Sequence, residues 1–250
     1  MKKWIIIFLG AFLWLAGCEK KVKISEQELE QAFNQAEQAY QELLANNPPT
    51  PYTYHYRNLI SQAEQAKAKG ELEEALNLAK QAEEQASLAL VAWRQELERV
   101  KEKLVKAKSE LEGLFPINHY LISRFWELYS RYRSKKYQGL EKELDKLLSE
   151  IEQEKKASVF PERKMTVVAP EEYIKRWGNV RVYQEITPEG KLRGVIERVP
   201  PGMQVKVLKI RLFSPNLIFC YVEVPLSGKQ GWMLEKYLSY EVGEYSDEGY

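Results

Sequence analysis

A regular ladder of small and apolar residues between positions 72 and 111 constrains the fold of this chain more than any other feature. Its members follow one another in steps of three and four residues, which places them on one face of an α-helix. They are Leu72, Ala75, Ala79, Ala82, Ala86, Ala89, Trp93, Leu97, Val100, Leu104, Ala107 and Leu111. The ladder predicts helix over 71–112, and the pattern leaves open whether this helix is continuous. Alanines dominate only its first half, so we expect that half to pack in a tight bundle. The second half has larger side chains, and we expect it to project from the bundle or to have other partners.

The whole segment 25–157 predicts an all-α antiparallel bundle of helical hairpins. It is rich in Ala, Gln, Glu, Lys and Leu, and its few breakers lie at the proline-rich run 46–51, at Gly70 and at Pro116. Ser25 and Glu28 have capping-box spacing, which predicts that the first helix begins there, and Pro116 is expected in the first turn of another helix. The turn at Gly70 and the flanking alanines resemble tetratricopeptide-like hairpins and the helical domains of envelope lipoproteins.

Beyond this segment the pattern changes to short β-branched runs separated by Gly and Pro, which predicts a small all-β barrel over 178–240. The chain is therefore expected to be multidomain, with a linker at 158–177 and an acidic tail at 241–250. The predicted strands are 180–185, 194–198, 204–210, 217–224 and 230–233.

Five short motifs follow one another in this region: Asn179-Val180-Arg181, Gly202-Met203-Gln204-Val205, Tyr221-Val222, Gly231-Trp232-Met233 and Tyr237-Leu238. Their order and spacing resemble the bacterial SH3 (SH3b) family. The resemblance implies an SH3-like barrel filled in part by Trp232, and a role in recognising cell-wall peptides. The candidate ligand-binding residues are Tyr183, Phe213, Tyr221 and Tyr237. The chain departs from the family at 182–185, which continues as strand where the family commonly has a loop beside its ligand groove.

The first eighteen residues combine a positive start with a short apolar run. Lys2 and Lys3 precede the run, which is too short for a comfortable membrane span, and Leu-Ala-Gly-Cys follows at 15–18. This arrangement resembles a bacterial lipoprotein signal that ends in a lipobox. The resemblance implies that a signal peptide, 1–17, is removed, that Cys18 is acylated, and that 18–24 is a short tether. Glu19 after the cysteine is similar to lipoproteins sent to the outer membrane of diderm bacteria.

Composition narrows the classes of function. The net charge is +1, and neither region has the basic footprint that nucleic-acid binding requires. With Cys18 acylated, Cys220 stands alone, and His55 and His119 lack partners at metal-ligand spacing, so we expect no metal, no cofactor and no catalytic residues.

The leading interpretation is a lipid-anchored, non-enzymatic envelope protein, in which a helical scaffold presents a module that binds peptidoglycan or an envelope protein. Two alternatives remain open. One is an accessory or regulatory subunit of a cell-wall hydrolase or of a larger envelope complex. The other is docking through the broad aromatic face of residues 117–137, although core packing covered by arginine stems also explains that face.

Overall fold

The computed structural model of the protein describes residues 24–157 and 163–240. The predicted signal peptide, Cys18 and the acidic tail lie outside the described residues. The chain divides into two compact units, one ending at Gln95 and the other beginning at Glu96. In the described residues the N-terminal part is helical and the C-terminal part is dominated by an antiparallel sheet, as the sequence predicts.

The first unit is built from α1 (Glu26–Ala45), α2 (Thr50–Lys69) and the beginning of α3 (Leu72–Gly113). The Ser25 side chain accepts a hydrogen bond from the Glu28 amide, which confirms the predicted start of α1. The alanines of the ladder are almost fully buried except Ala89, which is partly buried, because small side chains let helix backbones approach closely. The buried alanines of this unit are Ala32, Ala36, Ala63, Ala66, Ala75, Ala79, Ala82 and Ala86.

Three longer helical segments of the second unit precede its sheet: the remainder of α3, α4 (His119–Arg133) and α5 (Leu140–Ala157). The prediction that Pro116 lies in the first turn of a helix is wrong. Asn118 caps α4 instead, because its side-chain oxygen accepts a hydrogen bond from the Leu121 amide.

The sheet of the second unit has seven antiparallel strands in the order β3-β2-β6-β5-β4-β1-β7 and curls into a half-barrel. A short helix, α6 (Glu171–Trp177), lies between the first two strands in sequence. The strands are β1 (Lys164–Val167), β2 (Val180–Ile186), β3 (Leu192–Val199), β4 (Gln204–Ser214), β5 (Leu217–Glu223), β6 (Gln230–Leu234) and β7 (Leu238–Ser239). The five predicted strands are thus present, while β1 and α6 occupy part of the segment predicted as a linker.

One hydrophobic core joins the helices of the second unit to its sheet. Leu104 and Leu111 of α3 belong to the same buried cluster as Ile210 and Leu212 of β4. The Leu212 amide also donates a hydrogen bond to the Glu112 carboxylate at 2.9 Å. The structure therefore divides the chain near residue 95, whereas the sequence prediction divides it at 158–177. The physical reason is that β4 extends past the predicted strand end at 210 and buries apolar side chains in the cluster that the helices share.

Candidate binding face of the curled sheet

Three aromatic side chains and one lysine form a row across four strands on the outer face of the sheet. This face is opposite to the buried valines. The strand register places Lys209 opposite Tyr221, Tyr221 opposite Trp232, and Trp232 opposite Tyr183. The rings of Tyr221 and Trp232 are 5.0 Å apart between centroids, and Lys209 Nζ lies 6.0 Å from the Tyr221 centroid. All three rings are partly exposed. We call these four residues the aromatic row.

Alternation along the strands decides which side chains reach this face. On β5 and β6 the residues beside the row, Cys220, Val222 and Met233, are fully buried in the core, so Tyr221 and Trp232 must point the other way. The expectation that Trp232 fills the barrel is therefore wrong. Met233 occupies the core in its place, and Gly231 lies on the inward side, where β6 closely approaches β2.

Tyr237 lies in the turn Glu235–Tyr237 and packs against Tyr173 of α6, with ring centroids 4.8 Å apart. Burial, and then the neighbouring Tyr183, raise the pKa of both phenols. Of the four candidate residues, the strand register brings Tyr183 and Tyr221 together in the aromatic row, whereas Tyr237 packs against Tyr173 of α6.

Phe213 is separate from the aromatic row. It contacts Phe219 edge-on at 5.3 Å, and its ring lies against Gly190 in the turn between β2 and β3. A Cβ at Gly190 would lie 3.0 Å from Phe213 Cδ1. The structure gives Phe213 a packing role at this end of the sheet.

Three residues next to the candidates are not among the predicted site residues. The first is Trp232, which the sequence prediction places in the core. Trp232 and Met233 are adjacent on one strand, so either could face inward until the strand register is known. Tyr173 and Trp177 lie on α6, inside the segment predicted as a linker. The run of residues 171–177 contains two aromatic side chains, which was the available signal.

The segment 117–137, His119 and Cys220 were further candidate features, and each has contacts or burial that explain it structurally. In the segment 117–137, Ile122 and Phe125 are buried and the arginines pair with α5, Arg124 with Glu150 and Arg131 with Glu143. These contacts favour the core-packing explanation of that segment. His119 Nε2 lies 3.1 Å from Glu235 Oε1, and burial raises the pKa of the Cys220 thiol.

Within residues 24–157 and 163–240, no group of three or more His, Cys, Asp or Glu side chains is arranged to hold a metal ion. No helix in the same ranges is long and apolar enough to cross a membrane. Comparisons of the chain with protein-family models, with curated proteins and with solved structures gave no match.

Proposed function

We propose that this protein is a lipid-anchored, non-enzymatic protein of the bacterial envelope. In this proposal its seven-stranded sheet, which we call the β unit, binds peptidoglycan through the aromatic row. The observation that carries the proposal is the row itself: Tyr221, Trp232 and Tyr183 lie on adjacent strands of one face and remain partly exposed. In this proposal the helices act as a scaffold for the β unit.

The chemistry of the row suits a ligand made of sugars and peptides. Tyr and Trp offer large rigid contact surfaces with few rotatable bonds, so ordering them on binding costs little entropy. Their rings pack against the C–H groups of sugars and the flat faces of amides, while the phenol and indole groups donate hydrogen bonds. Lys209 adds a positive charge at one end of the row.

The resemblance to the SH3b family supports the same function. Val205, Val207 and Val222 are buried in the core, and Gly202 has a φ of +86° at the turn before β4. We assign the segment 178–240 to an SH3-like barrel extended by β1, which pairs with β4 and with β7. In this assignment the aromatic row takes the place of the family's ligand groove.

The ligand prediction concerns Trp232. Replacing Trp232 by Ala is expected to weaken binding of the chain to purified sacculi by about five- to thirtyfold, because it removes the central ring of the row. Tyr120→Ala is the matched control, since Tyr120 is an aromatic residue of α4 with 66% of its surface exposed. Depletion of protein from solution by increasing amounts of sacculi measures both variants.

Two results would contradict this function. If the unaltered chain were not retained on sacculi, wall binding would be excluded and an envelope protein would become the ligand to seek. If the purified chain released muropeptides from sacculi, the non-enzymatic assignment would be wrong.

The anchor prediction concerns Cys18. Cys18→Ser removes the thiol to which the acyl chains would be attached, and each buried methylene contributes about 0.8 kcal/mol to membrane binding. We expect an uncleaved and unacylated precursor, visible as a larger band that takes up no labelled palmitate. Incorporation of label by the Ser variant, or equal membrane retention after its signal is removed, would contradict the lipid anchor.

A further inference from the structure

An arginine that forms no ion pair with any described residue lies beside the aromatic row. Arg181 is on β2, two residues before Tyr183, and therefore on the same face of the sheet. Its guanidinium carbon is 3.8 Å from the centroid of the Trp177 ring, and the guanidinium carbon of Arg176 is 5.0 Å from the same ring. Trp177 itself is 37% exposed. Two positively charged guanidinium groups thus contact the same partly exposed indole ring.

The strand register adds a third positive charge. Arg181 lies directly opposite Arg198 of β3, where side chains of like charge repel each other. Within the described residues, neither of these arginines nor Arg176 forms an ion pair with a carboxylate. Glu197, the acidic neighbour of Arg198 in sequence, is paired with Lys229 at 3.3 Å. The three arginines therefore form a positive patch in which none is ion-paired with a described side chain.

The surroundings of the Arg181 guanidinium make its positive charge unfavourable for the stability of the fold. Its Nε–H is buried and has no hydrogen-bond partner among the described residues. A buried donor without a partner is destabilising, and more so when it belongs to a charged group. An anion bound at the other edge of the guanidinium would offset the repulsion from Arg198 and would stabilise the charge. Where a chain breaks the usual rules for pairing charges without local compensation, a binding function is a common reason.

We propose that Arg181, assisted by Arg198 and Arg176, binds a carboxylate of the ligand whose neighbouring apolar or amide groups pack on the aromatic row. This inference rests on the proposed function and specifies the chemistry of its ligand. The planar guanidinium presents paired N–H donors that match the two oxygens of a carboxylate. Arg181 and Tyr183 are separated by about 7 Å along the strand, so the ligand carries its carboxylate next to the portion that covers the rings. Peptide chains of the cell wall have this composition.

The test compares native sacculi with sacculi whose carboxylates have been converted to amides by carbodiimide and ammonia. Arg181→Gln in the full chain is expected to weaken binding to native sacculi by at least about tenfold, since a charge-assisted hydrogen bond is lost. The same substitution is expected to leave the weaker binding to amidated sacculi unchanged. Arg181→Lys keeps the charge and loses the paired geometry, so its affinity is expected to lie between those of the other two proteins.

Arg193→Gln is the matched control, because Arg193 lies on the same strand as Arg198 but opposite Glu185, a residue of opposite charge. It is expected to bind both kinds of sacculi as the unaltered chain does. Arg198 is exposed, so Arg198→Gln gives a second variant if Arg181→Gln does not fold, and a smaller loss confined to native sacculi is expected from it.

The outcomes separate this inference from the proposed function. Equal weakening of Arg181→Gln on native and amidated sacculi, or undiminished binding of the unaltered chain after amidation, would overturn carboxylate recognition and leave wall binding intact. Failure of the unaltered chain to bind native sacculi would overturn both.

Discussion

A fragment that begins at residue 178, the start of the predicted β domain, is expected to remain unfolded, whereas one that begins at Glu96 is expected to fold. The shorter fragment lacks β1, which pairs with β4 and β7. It also lacks the helices whose side chains share the core with Ile210 and Leu212. A domain of about 60 residues is already marginal in the surface that it can bury. Losing the helical side of its core leaves it without enough apolar contact to offset chain entropy.

Circular dichroism and heteronuclear NMR of fragments 178–240 and 96–240 would measure this result. The shorter fragment is expected to give narrow amide dispersion and no cooperative thermal transition, and the longer one dispersed signals and a single transition. Cooperative unfolding of fragment 178–240 would contradict the shared core and would restore the boundary that the sequence predicts.

Replacing Gly231 by Ala is expected to destabilise the β unit, because the added Cβ has no space. It would lie 2.6 Å from the Tyr183 carbonyl oxygen and 2.7 Å from both Val182 Cγ1 and Ile196 Cδ1. The first of these is a backbone atom, so relief requires β2 to move away from β6. Overpacking of this kind lowers the free energy of unfolding by about 1–3 kcal/mol.

Urea denaturation followed by tryptophan fluorescence would measure the effect, since Trp232 follows the substituted residue directly. Gly113→Ala is the matched control: Gly113 ends α3, and a Cβ there would meet no atom within 4 Å. We expect this control to be neutral or slightly stabilising. An unchanged midpoint for Gly231→Ala would show that β2 and β6 are not as close as described.

Much of the local structure could be predicted because it depends on residues near each other in sequence. The steps of three and four from Leu72 to Leu111 are a property of the chain itself, and they correspond to one helix over Leu72–Gly113. The predicted cap at Ser25 and the C-cap at Gly70, with its φ of +80°, are equally local. The inward face of β4 is likewise local, since Val205 and Val207 alternate with polar residues and both are buried.

The candidate site could be predicted only in part. The predicted residues Tyr183 and Tyr221 lie in the aromatic row, but the prediction places Trp232 on the wrong face and includes Phe213, which packs elsewhere. Strand β1 is four residues long, too short for an alternating pattern to be distinguished from a linker. The role of Arg181 could not be predicted from the sequence. Its lack of an ion pair among the described residues depends on which residues surround it in space.

The sequence by itself determined the five longer helices, the positions of the five longer strands and the change from a helical to a β pattern, since each follows from hydrophobic periodicity and from turn residues. Only the tertiary structure decided which strands are neighbours, and hence that Trp232 joins Tyr221 and Tyr183 and that Arg181 meets Arg198. It also decided that the helices from Glu96 onward share a core with the sheet. The physical reason is that strand register and burial are set by contacts between distant segments, which local periodicity does not encode.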